Sequence, residues 1–229
     1  MGKRLDAALG LLWLVTVPAM SFAIWMVFLY APEEKIMGAA QRIFYFHVPS
    51  AIVTFSSVFL LLGASIGYLW TRDHRWDNLS RAATETGLLF CTLVLVTGPL
   101  WAKPAWGIWW TWEAKLTTTL VLWLLLVANL MVRGYAENRD QAARFAAIVG
   151  IVAALDVPII HKATVWWRGQ HPVVFKPEAG SSLAPEMAQT FSVSLVVFFL
   201  LFTLLLGLRY RVAVLDNRAS LLMERAARC

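Results

Sequence analysis

Residues 8–30 read ALGLLWLVTVPAMSFAIWMVFLY, without a single charge. A helix needs roughly 20 mostly apolar residues to cross the hydrocarbon of a bilayer, and this run is long enough. Lys3 and Arg4 precede it, as basic residues precede the apolar core of a signal peptide. That core spans only about 7–15 residues and ends in a small-residue cleavage site. Neither description fits 8–30, so the run reads as a retained first transmembrane helix.

Five further apolar runs follow at 48–70, 84–102, 116–135, 143–161 and 189–208, separated by segments containing Arg, Asp, Asn, Pro or Gly. The expected fold class is therefore all-α: a polytopic membrane protein with six transmembrane helices in one bundle, forming a single domain over 1–229. Composition agrees. Of 229 residues, 59% are hydrophobic and 15% charged, with a mean hydropathy of +0.64. A water-soluble domain needs more polar surface than this.

The net charge of +6 does not point to nucleic acid, because the basic residues flank apolar runs and form no patch interleaved with aromatics. Their asymmetry sets an orientation instead. The N-terminus, 71–83, 133–144 and the C-terminus carry most of the Lys and Arg, among them Arg72, Arg75, Arg81, Arg209 and Arg211. Both termini are thus expected in the cytoplasm. The segments 31–46, 103–115 and 162–188 face outward, towards a periplasm if the cell has two membranes. Cys91 lies in an apolar run and Cys229 at the last position, which gives no disulfide framework or metal spacing. No Cys-x-x-Cys-His acceptor and no nucleotide-binding Walker sequence occur, so the chain is not itself a c-type cytochrome and binds no ATP through that motif.

The unusual residues gather on the outward side. Trp101, Trp106, Trp109, Trp110 and Trp112 fall within the predicted outer loop 101–117. Indole faces form a broad, rigid, polarizable surface whose N–H still finds a polar partner. Isolated tryptophans at span ends belong to an interfacial belt, but this density suits the face or edge of a flat macrocycle. Pro104 and Gly107 are expected to bend the loop along the surface.

Two outward histidines accompany it. His47 stands at the start of the second span in Tyr45-Phe46-His47-Val48-Pro49, and His171 in the outer loop 162–188 after Trp166 and Trp167. Neutral imidazole is a common axial ligand of haem iron, so the pair is suited to flank a haem lying on the tryptophans. His161 is a third candidate, ranked lower because it ends an apolar span. Arg42, Lys103, Lys115 and Arg168 are candidate partners for the haem propionates, Arg42 and Lys115 foremost; snorkelling at the interface is the other reading of such residues. Asp156 and Glu85 lie in or at the edge of spans, where ionised groups are costly and face protein or water. Asp156 is a candidate acceptor from a ligand histidine, setting its tautomer, or else a helix-packing hydrogen bond.

These motifs resemble the CcmC family of haem-handling proteins in cytochrome c maturation (the Ccm, or system I, pathway). The family's Trp-rich WWD signature runs W-G-x-W-W-x-W-D-x-R-L-T, and Trp106 to Thr117 follows it except that Glu113 stands for Asp and Lys115 for Arg. Both changes keep charge, though Lys lacks the bidentate fork of Arg. The resemblance covers most of the chain. It implies that His47 and His171 are axial ligands of haem b, and that the protein is a non-enzymatic, multi-pass component of the bacterial inner membrane. It further implies delivery of haem to the periplasmic chaperone CcmE, and association with the ATP-binding cassette subunits CcmA and CcmB and the small subunit CcmD. The competing reading is a membrane b-type cytochrome linked to quinol, which needs histidine pairs inside the spans.

Overall fold

Every apolar run forms a helix, because a backbone surrounded by lipid must satisfy its own polar groups. The computed structural model describes residues 2–35, 37–167 and 183–226. Its helices are α1 (Gly2–Trp25), α2 (Phe44–Thr71), α3 (His74–Trp106), α4 (Ala114–Met131), α5 (Arg139–Trp166) and α6 (Pro185–Ala226). A π-helical turn, Met26–Tyr30, extends α1, and a 3₁₀ turn, Ala39–Ile43, leads into α2. Among the described residues, six helical segments are long and apolar enough to cross a membrane. Among the described residues there is no strand, only an isolated bridge between Glu34 and Gly38.

Helices α2, α3, α4 and α5 enclose the core, where Val58, Leu61, Cys91, Leu122, Leu126 and Ile160 are buried. Small residues let them approach closely. A Cβ on Gly150 of α5 would lie 2.7 Å from Ser65 Oγ of α2, and one on Gly87 of α3 would lie 3.1 Å from Ser57 Oγ. Polar side chains bridge the helices at depth: Thr84 donates to Asn129 Oδ1 at 3.0 Å, and Asn129 Nδ2 donates to the Ala146 carbonyl at 2.6 Å. Helix α6 packs on α3 and α1 at the side of this group.

The two ends of the bundle differ in chemistry. At one end, Glu85 receives Arg209 at 2.5 Å and Arg81 at 3.2 Å, Arg133 meets Asp77 at 2.5 Å, and Arg211 meets Asp6 at 3.0 Å. Arg81 and Arg209, expected only to flank apolar runs, thus compensate the carboxylate that reaches the edge of the third span. These contacts also hold α6 helical well beyond 208, where its apolar run stops; Asn217 near its far end bonds Asn78 of α3. The opposite end, where α2 begins and α3 and α5 finish, carries His47 and the cluster Trp101, Trp106, Trp109, Trp110 and Trp112.

Helix bounds there depart from expectation. The segment 101–117 was expected as a loop, yet α3 continues to Trp106 and α4 starts at Ala114, leaving 107–113 as the connection. Gly107 ends α3 with φ +75°, a left-handed conformation that glycine adopts without steric cost. Its N–H bonds the Lys103 carbonyl at 2.9 Å, and Lys103 Nζ donates back to the Gly107 carbonyl at 2.9 Å. Pro104 therefore lies within α3, and the turn falls at Gly107. Helix α5 likewise runs past 161, so His161 sits inside it.

Candidate functional site

His47 occupies the first turns of α2 and is 7% exposed. Its Nδ1 lies 2.8 Å from Thr97 Oγ1 on α3. Thr97 and Trp101 are one turn apart and so share a helix face, and both meet this ring: the centroids of His47 and Trp101 are 6.1 Å apart at 44°. Gly98 also borders the imidazole, where a Cβ would stand 3.4 Å from His47 Cε1. Trp101 continues the aromatic array to Trp106, with centroids 6.3 Å apart.

A cavity of about 460 Å³ opens beside His47, between α2, α3, α4 and α5. Trp101, Trp110, Lys115 and His161 line it with His47, while Phe55, Cys91 and Leu122 line it deeper in the bundle. Such a volume with a few convergent polar groups in an apolar wall is what small-molecule sites offer. The indole N–H groups of Trp101 and Trp110 are buried without a hydrogen-bond partner, an arrangement that costs free energy unless a ligand or water accepts from them.

The structure divides the sequence candidates. Trp101 is buried at 9% exposure and lines the cavity, as does half-buried Trp110, but Trp109 and Trp112 are 54% and 76% exposed. Trp112 stands edge-on to Trp110 at 5.7 Å, and the Lys103 ammonium lies 5.9 Å from the Trp109 ring. Trp106 is half-buried at the end of α3. Lys115 lines the cavity; Arg42 does not, and stands 3.7 Å from Glu33 with its guanidinium 5.8 Å from the Phe28 ring. Glu113 precedes α4 and acts electrostatically on Lys115.

His161 lines the same cavity as His47, which its position at the end of an apolar run did not reveal. Asp156 is buried, but its Oδ2 has no hydrogen-bond partner; the hydrogen-bond partner of His47 Nδ1 is the Thr97 hydroxyl oxygen. Thr97 and Gly98 went unremarked in the sequence. Their signal was a polar and a small residue one turn before Trp101. His171, Arg168 and Cys229 lie outside the described residues.

Comparison with known proteins gives a consistent answer. The family model described as heme exporter protein C matches residues 3–225. A heme exporter protein C of Bradyrhizobium diazoefficiens is 34% identical over 200 residues, covering 86% of this chain and 76% of the relative. The protein of that name from Escherichia coli is 34% identical over 188 residues, covering 81% and 75%. A relative from Marchantia polymorpha, named as a ccmC-like mitochondrial protein of cytochrome c biosynthesis, is 28% identical over 214 residues, covering 93% and 86%.

Proposed function

The chain belongs to the heme exporter protein C family, and on that footing we propose that it holds haem at the His47 end of the bundle and presents it to a carrier during cytochrome c maturation. The observation that carries this reading is the position of His47: a buried imidazole, oriented by Thr97 and Trp101, on the wall of a cavity that Trp110, Lys115 and His161 complete.

The residues present suit a haem. When bound, haem supplies an iron that takes axial nitrogen ligands and two propionates that need cations. His47 is the first ligand and His171, on the connection between α5 and α6, the second. Trp101 and Trp110 cover one flank of the site and exclude water from it, while Lys115 receives a propionate. The exposed rings of Trp109 and Trp112 leave that edge of the site accessible to a partner. In this reading the protein is a handling factor and not a catalyst, and its cargo is haem b.

The site faces the periplasm and the termini face the cytoplasm of a bacterial inner membrane, as the distribution of Lys and Arg favours. The carrier is CcmE, and CcmA, CcmB and CcmD are the associated subunits. A quinol-linked b-type cytochrome fits less well. His47 and His161 do lie in helices, but both line one cavity, and His74 at the opposite end is bound to Asp140 at 3.0 Å, so no second haem site is formed across the bilayer among the described residues.

The purified protein is expected to carry a haem absorption spectrum. H47A and H171A are each expected to change its ligation bands or lower its haem content. Unchanged haem content and unchanged loading of CcmE in both variants would remove the ligand assignment.

A further inference from the structure

Thr97 makes two contacts whose combination constrains a proton. Its Oγ1 lies 2.6 Å from the Leu93 carbonyl and 2.8 Å from His47 Nδ1. A hydroxyl has one hydrogen to donate, and a carbonyl oxygen can only accept. The Thr97 hydrogen therefore points back along α3 to Leu93, and the same oxygen offers a lone pair to His47. Nδ1 must then carry its own hydrogen and donate it to Thr97. In a neutral imidazole with Nδ1 protonated, the lone pair available to a metal is on Nε2.

We propose that Thr97 is the positioning residue of the haem site: it holds the His47 imidazole in the tautomer that coordinates iron through Nε2, and fixes the ring plane. The proposal rests on His47 being a haem ligand. The roles of the neighbouring residues follow from it. A metal-binding histidine commonly donates its second ring N–H to an oxygen, which fixes tautomer and orientation and raises ligand basicity. Asp156, the acidic residue suited to that part, does not accept from His47, whereas Thr97 does so from the helix that also carries Trp101. Gly98 packs beside the ring, where a Cβ would already stand at van der Waals contact, 3.4 Å from Cε1.

Hemin titration of the purified full-length protein tests this. T97V keeps the shape of the side chain and removes both hydrogen bonds, and T97S keeps the hydroxyl. Loss of an outer partner of a metal ligand typically weakens metal binding roughly 10–100-fold; for a neutral hydroxyl acceptor the expected loss in T97V is about 10-fold, with altered g values in the electron paramagnetic resonance spectrum of the ferric haem. T97S should match the wild type in both. In an H47A background, T97V should add no further loss. Wild-type affinity and g values in T97V overturn the proposal, as does an effect that simply adds to that of H47A. If H47A itself leaves affinity and spectrum unchanged, the ligand assignment fails first, and the role of Thr97 fails with it.

Discussion

Ser65 Oγ on α2 and Gly150 on α5 meet so closely that a Cβ on the glycine would lie 2.7 Å from the hydroxyl, and that hydroxyl is buried with no hydrogen-bond partner. The contact sets how near α5 comes to α2, and hence how the wall bearing His161 stands against the wall bearing His47.

G150A should therefore destabilise the protein by about 1–3 kcal/mol, the usual cost of overpacking. Removing the hydroxyl should relieve it: S65A alone is expected to be neutral or stabilising, since the buried oxygen makes no bond to lose, and S65A/G150A should recover much of the loss. Thermal unfolding in detergent measures both. Equal destabilisation by G150A with and without S65A would place the clash elsewhere, such as on Leu61, whose Cδ1 would lie 3.0 Å from the new methyl.

Trp101 and Trp112 belong to one cluster in the sequence but to different environments in the fold, at 9% and 76% exposure. W101A is expected to cost about 3–5 kcal/mol, as truncation of a buried aromatic does, and to lower haem per protein. W112A should leave stability and haem content near wild type while slowing transfer to the carrier. Haem content and transfer, measured separately on both variants, distinguish the two roles. Equal loss of bound haem in W101A and W112A would contradict the division.

Lys115 lines the cavity and can meet a carboxylate there. A hydrogen bond to a charged group contributes about 1.5–3 kcal/mol, so K115Q should weaken hemin binding about 10–150-fold. Haem dimethyl ester, whose propionates carry no charge, should bind both proteins alike. A comparable loss with the ester would mean that Lys115 shapes the wall and does not pair with propionate.

His161 lines the same cavity as His47, so it is expected to substitute as a ligand when the assigned one is removed. H171A should retain part of its haem, and H161A/H171A should lose that remainder, whereas H161A alone should resemble the wild type. Haem absorption spectra of the three variants are the measurement. If H171A is already as empty as the double variant, His161 takes no part in ligation.

Much of this was legible in the order of residues. Six apolar runs foretold six helices because lipid leaves the backbone no other partner, and the clustering of Trp101, Trp106, Trp109, Trp110 and Trp112 drew attention to the end of the bundle where the cavity lies. Bounds were less legible. Trp101 to Trp106 are polar enough in context to suggest a loop, yet the hydrogen bonds between Lys103 and Gly107 carry α3 one turn further. Asp156 was a reasonable acceptor for histidine on chemical grounds. Its place on α5 nevertheless leaves that role to Thr97, a residue whose type alone gives no reason to single it out.

Hydropathy along one chain was enough to establish a six-helix membrane protein, since crossing a bilayer is a requirement on consecutive residues, and the motif spanning Trp106 to Thr117 was enough to suggest the family. Which side chains share a cavity depends on how α2, α3, α4 and α5 pack, and packing joins residues far apart in the chain. His47 with Thr97, and His47 with His161, are such pairs: contacts between helices arise from the close approach of small residues such as Gly150, and no local pattern encodes them.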